Sequence, residues 1–106
     1  MMQIKINETI FTVQLVKKDS EFLAFDDPNK EILGRTDYLK QNIYIRNDIP
    51  FNRRRQTIIH ELTHAFIDAY GFSMLEYWNE EQLCMFFEVY SPHIVSLSDK
   101  VLNELN

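Results

Sequence analysis

The sequence contains few of the residues that form crosslinks and turns, and each shortage restricts what the protein can be. Cys84 is the only cysteine, which excludes an internal disulfide and is typical of a protein from a reducing compartment. Only two glycines and three prolines occur in 106 residues, so we expect the loops to be few and short.

Long apolar segments and an excess of basic charge are also lacking. No stretch approaches the roughly 18 apolar residues of a membrane-spanning helix. Residues 1–16 alternate apolar and polar side chains instead of forming the apolar centre of a secretory signal. The net charge of −5, from 11 basic and 16 acidic residues, argues against a nucleic-acid partner. We therefore expect a soluble cytoplasmic protein that binds neither nucleic acid nor a membrane.

The composition favours one packed domain over residues 1–106. Hydrophobic residues make up 45% of the chain and aromatic residues 13%, which supplies a core and argues against disorder. In the first fifty residues, apolar side chains recur at near period two, which predicts strands. The expected strands cover Ile4–Ile6, Ile10–Leu15, Glu21–Phe25, Glu31–Tyr38 and Gln41–Arg46, with turns at Asn7-Glu8 and at residues 26–30. They predict a small N-terminal antiparallel sheet.

From residue 52 the apolar period becomes that of a helix. Apolar residues at i, i+4, i+7 and i+11 lie on one helical face, namely Ile58, Leu62, Ala65 and Ala69. Asn52 is the expected N-cap and Gly71 the expected C-cap. This pattern predicts one helix from about residue 52 to about residue 70.

A second helix is expected after Asn79, because Gln82 three residues later completes a capping-box pattern. Ser91-Pro92 begins a third helix or kinks the second, since proline is tolerated in a first helical turn. The fold class predicted is therefore α+β, with the sheet first and two or three helices after it.

The first helix carries the stretch HELTH, in which His60 and His64 are separated by one helical turn. Side chains at i and i+4 share a face, so both imidazoles can bind one ion, and Zn²⁺ is the ion that suits them. Glu61 is rotated by about 100° from His60 and would not be a direct ligand. It would instead take a proton from water that the metal activates.

The alternative is that both histidines are ordinary core residues with satisfied hydrogen bonds. Apolar neighbours such as Ile59 and Phe66 bury this helix, so we expect the histidines near a dry interior. Two imidazoles would be costly there without a partner, which favours the metal.

A zinc site of this type needs a third protein ligand and an open position for water. The residues that could supply the ligand are Glu76, Glu80, Glu81, Glu88, His93 and Cys84, of which the cysteine would give a more closed, structural site. Glu80 and Glu81 follow His64 by 16 and 17 residues, which suits a loop and a returning helix. Acidic residues also favour a helix's first turn because of its dipole, so their placement has a second explanation.

HELTHAF followed by EEQLCMFF resembles the HExxH…E pattern of zinc-dependent gluzincin peptidases, in particular small ImmA/IrrE-like and SprT-adjacent metallopeptidase-like proteins. The resemblance covers residues 34 to 101 and implies a minimal zincin-like fold. It makes His60 and His64 ligands and Glu61 the catalytic base. It makes Glu81 the third ligand, with Glu80 as the alternative. Leu83 and Cys84 replace an Ala-Asn pair that is usual in that family's second helix.

The resemblance also implies an edge strand along the active-site cleft, to which a substrate peptide would add. Residues Ile43–Arg46 are the expected edge, and the alternative is that this strand is paired on both sides.

Three other groups have both a functional and an ordinary explanation. Arg53-Arg54-Arg55 bind an acidic partner or form a solvated face. An oxyanion donor could come from Tyr70, Tyr90 or His93, each of which also suits packing or the surface. The aromatic set Trp78, Phe86, Phe87 and Tyr90 is expected in the core.

The function predicted from these patterns is that of a zinc metallopeptidase acting on a protein or peptide substrate. The alternative is a metal-stabilised, non-enzymatic protein-binding module of phage or mobile-element origin, in which zinc only holds helices together.

Overall fold

The computed structural model describes residues 1–23, 31–75 and 77–105. The chain forms strands first and helices after, which confirms the α+β class. The strands are β1 (Met2–Ile6), β2 (Thr9–Val16), β3 (Gly34–Asp37) and β4 (Asn42–Arg46), and the helices are α1 (Phe51–Ala69) and α2 (Glu80–Glu104). Short 3₁₀ turns occur at Glu21–Leu23 and Phe72–Met74.

The four strands form one mixed sheet in the order β1-β2-β4-β3. The predicted turn at Asn7-Glu8 joins β1 to β2, and both residues take the positive φ values, 45° and 69°, that a tight hairpin needs. β2 and β4 are parallel, so the sheet is mixed where we expected it to be antiparallel throughout. The parallel pair arises because β3 takes the outer position and β4 returns between β2 and β3.

β4 lies inside the sheet, so the prediction that Ile43–Arg46 form an edge is wrong. Ile43, Tyr44, Ile45 and Arg46 are all buried, which requires cover on both faces. The edge beside α1 is β3, whose residues are half-buried and which has β4 as its neighbour within the described part of the chain.

The segment before β3 also differs from its prediction. Glu21–Leu23 form a 3₁₀ turn, not a strand, and the Phe22 ring stacks on Tyr44 with centroids 4.8 Å apart. This stack covers the sheet face that is turned away from α1. The turn expected at residues 26–30 lies outside the described residues.

α1 has the register expected from its apolar period. Ile58, Leu62 and Ala65 are buried against the sheet. The helix starts slightly earlier than predicted, with Pro50 at the N-cap position, because a proline needs no intrahelical partner for its nitrogen. Its end is as expected, since Gly71 takes a left-handed φ of 79° just after the final turn.

α2 is one helix of 25 residues, so Ser91-Pro92 does not begin a third. The capping box is confirmed: the Gln82 backbone nitrogen donates to Asn79 Oδ1 at 2.8 Å, and the Asn79 nitrogen donates to Gln82 Oε1 at 3.0 Å. Pro92 lies inside the helix. The Ser91 hydroxyl donates to the Phe87 carbonyl one turn earlier.

The core lies between the sheet and the two helices. Within the aromatic set, Phe86 is buried, and Trp78 and Tyr90 pack against it with centroids 5.3 and 5.1 Å away. Phe87 is 55% exposed, so its assignment to the core is wrong. In the described part of the chain, neither helix has the length and apolar content that crossing a bilayer requires.

Candidate functional site

His60 and His64 bring the same ring nitrogen to one point beside α1. Their Nε2 atoms are 3.2 Å apart, and the rings meet edge to face with centroids separated by 4.9 Å. For zinc–nitrogen bonds of about 2.05 Å, that separation corresponds to an N–Zn–N angle of about 103°, close to tetrahedral. The distance between the two nitrogens is therefore compatible with one shared zinc ion.

Both histidines are exposed, so the expectation that they lie near a dry interior is wrong. The helical period explains the difference. His60 follows Ile58 by two residues, about 200° around the axis, and therefore points away from the core. Glu61, about 300° around from Ile58, lies at the flank of the core and is 6% exposed. The helix thus holds Glu61 inside and presents the histidines to solvent.

The Glu61 carboxylate is held by a residue of the edge strand. Thr36 Oγ1 in β3 is 2.8 Å from Glu61 Oε1 and 3.2 Å from the Glu61 backbone oxygen. A buried carboxylate needs such a donor. With Oε1 engaged, the hydrogen bond also fixes the direction in which the second carboxylate oxygen points.

Gly34 allows β3 to approach α1 closely enough for this hydrogen bond. A Cβ on Gly34 would lie 2.8 Å from Thr57 Cγ2, 3.0 Å from the Tyr44 backbone oxygen and 3.1 Å from Glu61 Cγ. A Cβ contact of 2.8 Å is shorter than real side chains make, so a larger residue here would force its neighbours or β3 to shift.

Open clefts surround the motif on the β3 side. One, of about 390 Å³, lies between β3 and α1 and is lined by His60, Glu61, His64, Thr36 and Tyr38 among others. A second, of about 350 Å³, also contains His60 and Glu61 and extends toward Arg53 and Glu31. The histidine nitrogens and the buried carboxylate therefore share one accessible region.

Tyr38 is a site residue that the sequence patterns missed. Its ring lies edge-on to His64 with centroids 6.4 Å apart. Burial raises the pKa of the Tyr38 phenol, and the nearby carboxylates of Asp68 and Glu61 raise it further. The hydroxyl thus stays protonated at neutral pH and can donate a hydrogen bond.

The three residues expected as oxyanion donors lie elsewhere. Tyr70, Tyr90 and His93 line a different cavity, between β1, α1 and α2. Tyr70 and Tyr90 pack on each other with centroids 4.5 Å apart. Their ordinary explanation, packing, describes them better than the catalytic one.

The described residues do not bring a third ligand to the histidines. No group of three His, Cys, Asp or Glu side chains that could hold a metal occurs in residues 1–23, 31–75 and 77–105. Glu80 and Glu81 lie exposed in the first turn of α2, and Glu88, His93 and Cys84 are exposed further along it. Glu76 lies outside the described residues. The role of Glu81 therefore stays a prediction.

The three arginines at the start of α1 have different surroundings. Arg55 Nε donates to Asp99 Oδ1 of α2 at 2.9 Å, and Arg54 donates to the Asn47 backbone oxygen at 2.9 Å. Arg53 is exposed and lines the cleft that contains His60. Two of the three thus tie α1 to neighbouring segments, and Arg53 faces the cleft.

Arg46 binds Glu31 and Leu33, in the segment that leads into β3. Its guanidinium makes two hydrogen bonds of 2.8 Å to the Asp48 carboxylate and one of 3.0 Å to Glu31. Its backbone nitrogen donates to the Leu33 oxygen at 2.9 Å. The Arg46 guanidinium holds the pKa of the Asp48 carboxyl below its usual range. This cluster fixes one wall of the clefts.

Comparison of the chain with protein-family models, with curated proteins and with solved structures gives no match. The functional argument consequently depends on the chemistry of the site. That chemistry comprises a converging imidazole pair, a buried carboxylate with one oxygen engaged, and an adjacent edge strand.

Proposed function

We propose that the protein is a zinc-dependent peptidase in which His60 and His64 bind the metal and Glu61 is the general base. The observation that carries the proposal is the 3.2 Å separation of the two Nε2 atoms beside a buried Glu61. Two neutral imidazoles at this distance share at most one hydrogen bond, whereas a cation uses both lone pairs.

When bound, zinc would polarise a peptide carbonyl and lower the pKa of its water toward ~7. Glu61 would take the proton from the attacking water on the carboxylate oxygen that Thr36 does not hold. It would then pass that proton to the leaving amine. Thr36 is a positioning residue in this scheme, because it acts through Glu61.

Among the described residues, no strand pairs with the outer edge of β3, which supports an extended peptide as the substrate. The Arg46 nitrogen donates to the Leu33 oxygen, so these two residues form a hydrogen-bonded pair of the antiparallel ladder. By alternation, the backbone groups of Arg35 face β4, and those of Gly34 and Thr36 face outward. A peptide strand pairing with Gly34 and Thr36 would run beside His60 and Glu61, which line the same cleft. Tyr38 would donate to the oxyanion.

Glu81 is proposed as the third ligand, with Glu80 as the alternative. Both carboxylates are exposed at the start of α2 and available to a metal. Measuring zinc affinity for Glu81→Gln and Glu80→Gln separately distinguishes them. We expect the first variant to bind at least about tenfold more weakly and the second to bind like the parent.

The exposed histidines favour the peptidase over a metal-stabilised binding module. A structural zinc site is closed by four protein ligands. Here the imidazoles face open clefts, which leaves coordination positions for water and substrate.

The test of catalysis is Glu61→Gln. We expect this variant to keep the parent's zinc affinity, because Glu61 is not a ligand, and to lose cleavage of fluorescently labelled casein by at least about a hundredfold. Glu104→Gln, which changes an exposed carboxylate at the far end of α2, serves as the matched control. If Glu61→Gln cleaves as fast as the parent, the proposed role of Glu61 is wrong.

A further inference from the structure

A second cavity lies between the β1–β2 hairpin, the end of α1 and the middle of α2. Its volume is about 550 Å³, within the range of typical small-molecule sites. It shares no lining residue with the clefts that contain His60 and Glu61. Whatever it binds therefore occupies a site separate from the proposed catalytic one.

The cavity gathers positive charge in an acidic protein. The two lysines that line it are Lys5 of β1 and Lys100 of α2. Lys100 is the only lysine or arginine that follows Arg55 in the sequence, and it lines the same cavity as Lys5.

No carboxylate belongs to the described lining of this cavity, and one, that of Glu8, contacts Lys5 from outside the lining. Asp99, the neighbour of Lys100, is engaged by Arg55 at 2.9 Å. Glu8 contacts Lys5 at 3.2 Å, but both side chains are largely exposed and such a pair is weak. An anion entering the cavity would meet Lys100 and would compete for Lys5 only with this weak, exposed pair.

Aromatic rings form one wall of the cavity. Phe66, Tyr70 and Tyr90 pack together, with the Phe66 ring 5.9 Å from Tyr70 and 6.2 Å from Tyr90 between centroids. Phe66 is buried, whereas Tyr70 is 37% exposed, so part of this aromatic wall is open to a ligand. Such a wall favours a flat apolar group over a small hydrated ion.

We propose that this cavity binds a small organic anion with an aromatic or similarly flat apolar body and one phosphate or carboxylate group. The apolar body would lie on Tyr70 and Tyr90, and the anionic group would lie between Lys5 and Lys100. His93 and the hydroxyl groups of the two tyrosines add hydrogen-bond donors to the same space.

The experiment is an NMR titration of the full chain with phenyl phosphate and, separately, with uncharged benzyl alcohol. We expect saturable amide shifts that cluster at the hairpin, at residues 66–71 and at residues 89–100. Phenyl phosphate should bind at least about tenfold more tightly than benzyl alcohol. Benzoate in a third titration tells a phosphate preference from a carboxylate preference, and either preference supports the proposal.

Three variants make the titration specific. Lys100→Met should lower the affinity for phenyl phosphate about tenfold, and Lys100→Arg should keep the parent's affinity. Lys40→Met removes an exposed charge outside the cavity and should leave the affinity unchanged. Each of three results would overturn the proposal. They are equal affinity for phenyl phosphate and benzyl alcohol, a loss of affinity in Lys40→Met as large as that in Lys100→Met, and no saturable shift at millimolar phenyl phosphate. Because none of these residues belongs to the zinc site, failure here leaves the peptidase proposal standing.

Discussion

Gly34→Ala tests the close contact between the edge strand and the motif helix. The added Cβ would meet Thr57 Cγ2 at 2.8 Å, the Tyr44 backbone oxygen at 3.0 Å and Glu61 Cγ at 3.1 Å. The side-chain atoms can move by small amounts, but the backbone oxygen belongs to the central strand β4. We therefore expect β3 to shift away from α1 at a cost of about 1–3 kcal/mol in the free energy of unfolding.

Thr57→Ser provides the second half of a double-mutant cycle. The serine loses the methyl that lies closest to the added Cβ and keeps the 2.8 Å hydrogen bond to the Arg53 oxygen. Alone, this change should destabilise by about 1 kcal/mol, because it deletes one buried methyl. Combined with Gly34→Ala it should relieve the clash. The double variant should therefore lose at least about 1 kcal/mol less free energy of unfolding than the two single variants lose together.

The assay is urea denaturation followed by the fluorescence of Trp78, the only tryptophan, which packs on Phe72 and Phe86. Gly71→Ala is the control: its φ of 79° makes alanine unfavourable, but the described residues place no atom within 4 Å of the added Cβ. Its cost should therefore be independent of Thr57→Ser. A Gly34→Ala protein as stable as the parent, or strict additivity with Thr57→Ser, would refute the close contact.

Three further changes probe the site and its support. Thr36→Val should lower peptide cleavage about 10–100-fold without changing zinc affinity, and Thr36→Ser should restore most of the rate, because only the hydroxyl holds Glu61. Asp48→Asn should destabilise the protein at neutral pH. The folded pKa of Asp48 lies below its ordinary value of 3.8, so this contribution is present above that value. The difference in urea midpoint should therefore disappear as the pH falls through the lower folded pKa. Ser98→Ala should raise the free energy of unfolding by about 1 kcal/mol, since the buried Ser98 hydroxyl has no hydrogen-bond partner among the described residues.

Local patterns predicted the elements whose cause is local. The positive-φ turn at Asn7-Glu8, the apolar face of α1 and the capping box of Asn79 and Gln82 each depend on residues a few positions apart. Pro92 did not decide between a new helix and a continued one, and α2 continues through it.

Strand order depends on contacts between distant segments, and there the local patterns failed. The prediction that Ile43–Arg46 form an edge is wrong, and the consecutive apolar residues Ile43, Tyr44 and Ile45 are typical of a strand covered on both faces. This apolar run is the sequence feature that indicates an interior strand.

In the candidate site, too, the sequence predicts the local features but not the contacts between distant residues. The facing of His60 and His64 follows from a spacing of four residues, and their exposure follows from counting the helical angle from Ile58. The contact of Thr36 with Glu61 joins residues 25 positions apart, and no local pattern encodes it. Tyr38 was missed for the same reason.

The most direct test of the central claim is the zinc content of the purified protein. The protein is first given one equivalent of zinc and is then exchanged into metal-free buffer, which removes unbound metal. We predict one zinc ion per chain, lost in His60→Ala and in His64→Ala and kept in His93→Ala, an exposed histidine that lines the other cavity. No zinc above background in the parent, or zinc retained after either of the first two substitutions, would contradict the assignment of His60 and His64 as a metal site.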